Sequence, residues 1–102
     1  MTYYSPEMYT AIEEGDHSKL GVRLGAACVD AGIPIIALSK WFGVSRQAIY
    51  GWFRGTPMRD KYHEKAETII GILLAALEDE ALPVEDLETA MAIFKQYKSR
   101  AK

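Results

Sequence analysis

Apolar residues recur at steps of three and four positions in five stretches of this chain, a spacing that places them on one face of an α-helix. In the first stretch, residues 18–31, the residues on this face are Leu20, Leu24, Ala27, Cys28 and Ala31. In the longest stretch, residues 60–80, they are Tyr62, Ala66, Ile69, Ile70, Leu73, Ala76 and Leu77. No stretch shows the alternation of apolar and polar positions that is typical of a β-strand. The pattern therefore predicts an all-α fold.

The second predicted helix, residues 34–42, is short and has a clear signal at each end. Pro34 suits the first helical position, and Gly32 and Gly43 follow two helix ends, where glycine tolerates a left-handed backbone. The inward-facing residues of this helix are predicted to be Ile36, Leu38, Ser39 and Phe42.

Two further helices complete the pattern. Ser45 is placed to cap the third helix, which runs to Gly55 with Ala48, Ile49 and Trp52 facing inward. Pro83 is predicted to open the last helix, which has acidic residues in its first turn and basic residues near its end. That order of charges favours a helix, because it complements the helix dipole.

A chain of 102 residues is the length of one ordinary domain. We divide it into an N-terminal extension, residues 1–17, a core domain, residues 18–80, and a C-terminal helix with a basic tail, residues 81–102. Within the extension, Pro6 and Glu7 are placed to begin a short helix through Ile12, although the order of this segment stays open.

The formal net charge of −2 hides an uneven distribution of charge. Residues 34–63 contain five basic residues and one acidic residue, whereas residues 64–94 contain one basic residue and eight acidic residues. A basic segment between acidic segments allows a local positive surface that attracts nucleic acid.

Composition excludes several classes of protein. A single cysteine forms no intrachain disulfide, and two histidines provide no zinc-binding spacing, so neither metal nor cofactor is expected. No apolar run approaches the roughly 20 residues of a membrane span. The N-terminus has no basic, apolar signal peptide, so a cytoplasmic protein is expected.

Residues 38–55 read LSKWFGVSRQAIYGWFRG and place a glycine turn between two short helices. They resemble the helix-turn-helix of the Cro and phage-repressor (XRE-type) family, whose consensus runs approximately Leu-Ala-x-x-Leu-Gly-Val-Ser-x-x-x-Ile-x-x-Trp-x-x-Gly. The matching positions are filled by Leu38, Phe42, Gly43, Val44, Ser45, Ile49, Trp52 and Gly55. The likeness extends over residues 18–77. It implies a five-helix repressor-like domain in which helices two and three form the helix-turn-helix, followed by a C-terminal helix.

In that family the third helix lies in the major groove of DNA. The resemblance implies base contacts for four residues of this helix: Arg46, Gln47, Tyr50 and Gly51. It implies phosphate contacts, which position a protein without reading the sequence, for Lys40, Ser45 and Arg54. Trp52 is expected in the core.

Three positions depart from the family pattern. Ile35 stands where the family often has a glutamine that contacts phosphate, so this contact is expected to be lost or supplied elsewhere. Gly51 lies within the third helix at a cost of about 0.8–1 kcal/mol relative to alanine, and leaves room for the backbone to approach DNA. Trp41 stands where the family has an exposed polar residue. Its expected cover is an N-terminal tyrosine (Tyr3, Tyr4 or Tyr9), with a subunit contact as the alternative.

The last helix is the candidate dimer interface, because its apolar residues exceed what a small core needs. The residues expected there are Leu87, Met91 and Phe94. A two-fold interface pairs each with its mate. Packing of the same residues within the chain is the alternative.

The resemblance implies a small prokaryotic or phage repressor that binds a pseudo-palindromic operator as a dimer. Two alternatives stay open: a protein-binding module, such as an assembly or host-takeover factor, that keeps the fold without DNA contacts, and the DNA-recognising small subunit of a phage packaging machine. An enzyme is not expected, because His17 beside Ser18 lacks the third, orienting group of a catalytic arrangement.

Overall fold

The computed structural model describes residues 3–100 and contains six α-helices and no strand in that part of the chain. The helices are α1 Pro6–Glu13, α2 Leu20–Ala31, α3 Ile35–Phe42, α4 Arg46–Phe53, α5 His63–Glu78 and α6 Leu87–Arg100. A 3-10 turn, Asp60–Tyr62, precedes α5. The all-α prediction is confirmed. The predicted count of five helices is one too few, because α1 forms in the extension, whose order the sequence left open.

Helix α1 begins where the chain supplies a cap and a proline in succession. The Ser5 hydroxyl oxygen accepts a hydrogen bond from the Met8 amide at 3.2 Å, and Pro6 opens the helix. Met8 and Ile12 are buried. Helix α1 therefore contributes to the same core as the other helices.

Tyr4 ties the start of the chain to two other elements. Its hydroxyl donates a hydrogen bond to the Ile33 carbonyl between α2 and α3, and its ring lies 6.1 Å from the ring of Phe53 in α4. Burial raises the pKa of this hydroxyl above its usual value, so it stays protonated and able to donate.

Helix α2 packs against both α4 and α5 and lies at the centre of the fold. Its glycines allow α4 to come close. A Cβ atom at Gly21 would lie 2.5 Å from the carbonyl oxygen of Trp52, and one at Gly25 would lie 2.9 Å from the ring of Phe53. Leu20, the first residue of α2, was predicted to face inward and is only half-buried.

Helix α5 buries most of the face that the sequence predicted, with Tyr62 and Leu77 half-buried at its two ends. Helix α6 packs on it. The predicted start of α6 at Pro83 is wrong by four residues. The Asp86 carboxylate accepts hydrogen bonds from the amide and hydroxyl of Thr89, at 2.9 and 2.8 Å, and so caps a helix that begins at Leu87. These bonds lower the pKa of Asp86.

Candidate nucleic-acid interface

Helices α3 and α4 are joined by a turn of three residues. Gly43 takes a left-handed conformation, φ 68° and ψ 35°, and no atom lies near the place of its missing Cβ, so conformation rather than space requires the glycine here. Ser45 caps α4 by accepting a hydrogen bond from the Ala48 amide at 3.1 Å. The Ser39 hydroxyl donates to the Val44 carbonyl at 2.6 Å, which holds the turn against α3.

The inner side of this pair of helices is apolar and aromatic. The buried residues are Ile35, Ala37, Leu38 and Phe42 of α3, and Ile49, Trp52 and Phe53 of α4. The ring of Trp52 lies 5.2 Å from that of Phe42 and 5.3 Å from that of Tyr62. Trp52 is therefore a core residue, as expected, and fixes the rotation of α4 about its axis.

The residues expected to contact bases lie on the outer side of α4. Arg46, Gln47 and Tyr50 are exposed, with 39% of the Tyr50 surface accessible. Gly51 is half-buried, and a Cβ atom there would lie 3.4 Å from the Thr56 hydroxyl, an ordinary contact distance. Together with Arg54, these positions follow the helical repeat and form one face of α4.

The residues expected to contact phosphate are also at the surface. Lys40 is exposed in the last turn of α3, and Arg54 is exposed at the end of α4. Ser45 is exposed at the start of α4, where its oxygen also accepts the capping bond. Within residues 3–100, neither Arg46 nor Arg54 takes part in an ion pair. Their charges are therefore not neutralised by the described part of the chain.

Two lysines that the sequence did not single out hold the ends of α3 and α4. The Lys65 ammonium donates to the Trp41 carbonyl at 2.6 Å, and the Lys19 ammonium donates to the Gly55 carbonyl at 3.0 Å. A cation at the C-terminal end of a helix interacts favourably with the helix dipole. No local signal identifies either lysine, because each lies more than twenty positions from its acceptor.

The start of α3 differs from the prediction. Pro34 is the extended residue before the helix rather than its first residue, and α3 begins at Ile35. Ile35 is buried, with 5% of its surface accessible, whereas Ile36 is 41% exposed. The prediction that Ile36 faces inward is therefore wrong. The core face of α3 carries Ile35, Leu38 and Phe42, at steps of three and four.

Trp41 is covered by Phe94 and not by an N-terminal tyrosine. The two rings stack with centroids 4.3 Å apart and an angle of 18° between their planes. Phe94, which the sequence placed at a dimer interface, is only 7% exposed because it packs within the chain. Leu87 and Met91 are half-buried and keep part of their surface exposed.

The remaining reactive groups have partners or are shielded. Cys28 is fully buried, and burial raises the pKa of its thiol. The Nε2 atoms of His17 and His63 lie 2.8 Å from the carbonyl oxygens of Ile12 and Met58. Among the described residues, no three His, Cys, Asp or Glu side chains are grouped to bind a metal.

Searches with protein-family models, curated proteins and solved structures find no match to this chain. No helix within residues 3–100 is long and apolar enough to span a lipid bilayer. The geometry of α3 and α4, and the likeness of residues 38–55 to the Cro-like pattern, are thus the observations from which a function is inferred.

Proposed function

We propose that this chain is a sequence-specific double-stranded-DNA-binding regulator, a small repressor that acts as a dimer on a pseudo-palindromic operator. One observation carries the proposal. Helix α4 is anchored by Ile49, Trp52 and Phe53 on its inner side and exposes Arg46 and Gln47 on its outer side. A rigid helix with an exposed polar face is what readout of the major groove requires.

Each exposed residue of α4 has a chemical role in this proposal. The Arg46 guanidinium offers two parallel donors to O6 and N7 of guanine, and the Gln47 amide pairs with N6 and N7 of adenine. Tyr50, one turn further along, reaches a phosphate or the methyl group of thymine. Gly51 presents no side chain, which allows the backbone of α4 to approach the bases.

Phosphate contacts supply affinity independent of sequence. Lys40 is exposed in the last turn of α3, and Ser45 and Arg54 are exposed at the two ends of α4; these residues carry this role. Each phosphate that a cation neutralises releases counterions, so binding weakens as the salt concentration rises. The buried Ile35 makes no contact with phosphate. In this proposal, the affinity lost at that position is supplied by the binding of two chains to one site.

A second candidate is a protein-binding module that keeps the fold without DNA contacts. The observation in its favour is the exposed side chain of Ile36 at the start of α3, where an apolar residue fits a protein partner better than a phosphate.

Selection from random duplex DNA tests the proposal and separates the two candidates. The purified chain is incubated with random duplexes at about 0.15 M salt, and the mass of the complex is measured by light scattering. We expect a palindrome with half-sites about 10 base pairs apart, bound by two chains. A folded chain that enriches no sequence overturns the proposal and favours the protein-binding module.

A further inference from the structure

Helix α6 has a stripe of residues along one side that is largely exposed. The stripe consists of Glu88, Met91, Lys95 and Lys98, at steps of three, four and three, so these residues share one face of the helix. Met91 is half-buried and the three charged residues are exposed. Ala92, beside Met91 at the middle of the helix, is also exposed. The buried residues of α6, Ala90 and Phe94, lie on the adjoining side of the helix, since Phe94 is three positions from Met91 and four from Lys98.

The charges along α6 are separated by sign. The acidic residues at its start are Glu85, Asp86 and Glu88, and the basic residues at its end are Lys95, Lys98 and Arg100. All six are exposed. A helix with one acidic end and one basic end is complementary to a second copy of itself that runs in the opposite direction.

The positions of these charges fit a single register. If two copies of α6 cross antiparallel about an axis between Met91 and Ala92, position 88 of one chain lies opposite position 95 of the other. In the same register, Lys98 of one chain approaches the residues just before α6 of the other, among which are Glu85 and Asp86. A parallel arrangement would instead place Glu88 against Glu88 and Lys95 against Lys95, which is unfavourable.

The surface beside the stripe is concave and can accept side chains of a partner helix. A groove of about 430 Å³ runs along α6 and is lined by Trp41, Met91, Ala92, Phe94, Lys95 and Lys98. Its floor is aromatic and its rim is basic. The acidic first turn of an antiparallel second copy matches this surface in both apolar character and charge.

We propose that two copies of this chain associate through α6, antiparallel and two-fold symmetric, with Glu88 of each chain paired to Lys95 of the other across a Met91–Ala92 centre. Such an interface is closed, because the same surface of both chains is used and no free copy of it remains. The inference rests on the proposed dimeric function and names the surface that joins the two chains.

Charge reversal tests the register directly. The mass of the full chain is measured by sedimentation equilibrium at several concentrations for the unmodified chain, Glu88→Lys, Lys95→Glu and the double variant. We expect a dimer for the unmodified chain and a dimer dissociation constant at least about tenfold higher for each single variant, since each reversal creates two like-charge contacts. The double variant exchanges the two charges and is expected to return within about threefold of the original constant.

Glu78→Lys is the matched control, because it makes the same change of charge at an exposed position of α5, outside the stripe. It is expected to leave the dimer unchanged. A chain that stays monomeric at the highest concentration, single variants with unchanged association, or a double variant as weak as the single ones would each overturn the proposal. Selection of DNA by the same variants separates this failure from a failure of the proposed function. If a monomeric chain still selects a sequence, only the proposed interface is rejected. If a dimeric chain selects no sequence, the proposal of DNA recognition is rejected.

Discussion

The indole ring of Trp41 stacks on the ring of Phe94 with 4.3 Å between centroids, and the contact joins the last turn of α3 to α6. The carbonyl oxygen of the same Trp41 accepts the hydrogen bond from Lys65 of α5. Three helices therefore meet at the end of α3, just before the turn into the helix proposed to read DNA. The contacts of Trp41 with Phe94 and Lys65 therefore help to hold α3, and through the turn also α4, in place.

Replacement of Phe94 tests how much the stacking of Trp41 and Phe94 contributes to the free energy of unfolding. Phe94→Leu keeps an apolar side chain in the core but removes the aromatic pair, which contributes about 0.5–1.5 kcal/mol beyond burial, and leaves unfilled space. We expect the free energy of unfolding, measured in urea, to fall by about 1–2 kcal/mol. Gln96→Ala, at an exposed position of the same helix, is the control and is expected to change it by less than about 0.5 kcal/mol. Equal effects would contradict the role of the stack.

A pair of glycine substitutions tests the close approach of α2 and α4. In Gly21→Ala the new methyl group would lie 2.5 Å from the Trp52 carbonyl oxygen, a backbone atom, so the helices must move apart. We expect a loss of about 1–3 kcal/mol of stability, although alanine favours a helix. Gly71→Ala, on the open side of α5, meets nothing within 4 Å and is expected to gain about 0.5–1 kcal/mol. Thermal denaturation of both variants gives the comparison, and a stable Gly21→Ala protein would exclude the close contact.

The hydrogen bond from Lys65 to the Trp41 carbonyl, at the end of α3, is expected to contribute measurably to the free energy of unfolding. Lys65→Met keeps the aliphatic length of the side chain and removes the donor. We expect a loss of about 0.5–1.5 kcal/mol in urea denaturation, the usual range for one hydrogen bond. Lys61→Met is the control, because both lysines lie over an aromatic ring, at 5.2 Å from Tyr62 for Lys61 and at 5.9 Å from Phe42 for Lys65. A loss for Lys61→Met as large as that for Lys65→Met would assign the effect to the charge and the ring contact and not to the hydrogen bond.

Replacement of Gly51 by alanine is expected to have opposite effects on the stability of the protein and on its affinity for DNA. Because a methyl group at this position meets Thr56 only at contact distance, Gly51→Ala is expected to raise the free energy of unfolding by about 0.5–1 kcal/mol. The same methyl group points into the space that the backbone needs near the bases, so affinity for the selected duplex is expected to fall. Calorimetry and DNA titration measure the two effects. Undiminished affinity would show that the backbone of α4 does not approach the bases at Gly51.

Replacement of Arg46 and replacement of Lys40 are expected to weaken DNA binding in different ways. Arg46→Ala should cost about 1–3 kcal/mol of binding free energy and relax the preference at one base position. Lys40→Ala should weaken binding to all sequences alike and reduce the dependence of binding on salt by about one unit of slope. Titrations with selected and random duplexes at several salt concentrations distinguish the two. Equal losses on both duplexes for Arg46→Ala would remove its base-reading role.

Local signals in the sequence were sufficient for most helix ends and for the orientation of α4. Gly32 and Gly43 end α2 and α3, and Ser45 caps α4, because each of these roles depends on one residue and its immediate neighbours. Helical spacing placed Trp52 in the core, whereas the outward placement of Arg46 was implied by the resemblance to the Cro-like pattern. The same reasoning failed at Ile36, because two positions along a helix correspond to a rotation of about 200°, so Ile36 and Leu38 face opposite sides.

The sequence by itself determined that the chain is helical, where α2 and α3 end, where α4 begins, and that Ile49 and Trp52 of α4 face the core, since these depend on neighbours within a few positions. The predicted end of α4 at Gly55 is wrong by two residues. Only the tertiary structure decided that Gly21 and Gly25 allow α4 to pack closely on α2, that Lys65 donates a hydrogen bond to the end of α3, and that Phe94 stacks on Trp41. Each of these contacts joins residues more than twenty positions apart. Periodicity identifies which face of a helix is buried, but only the packing of the helices determines which residues meet across it.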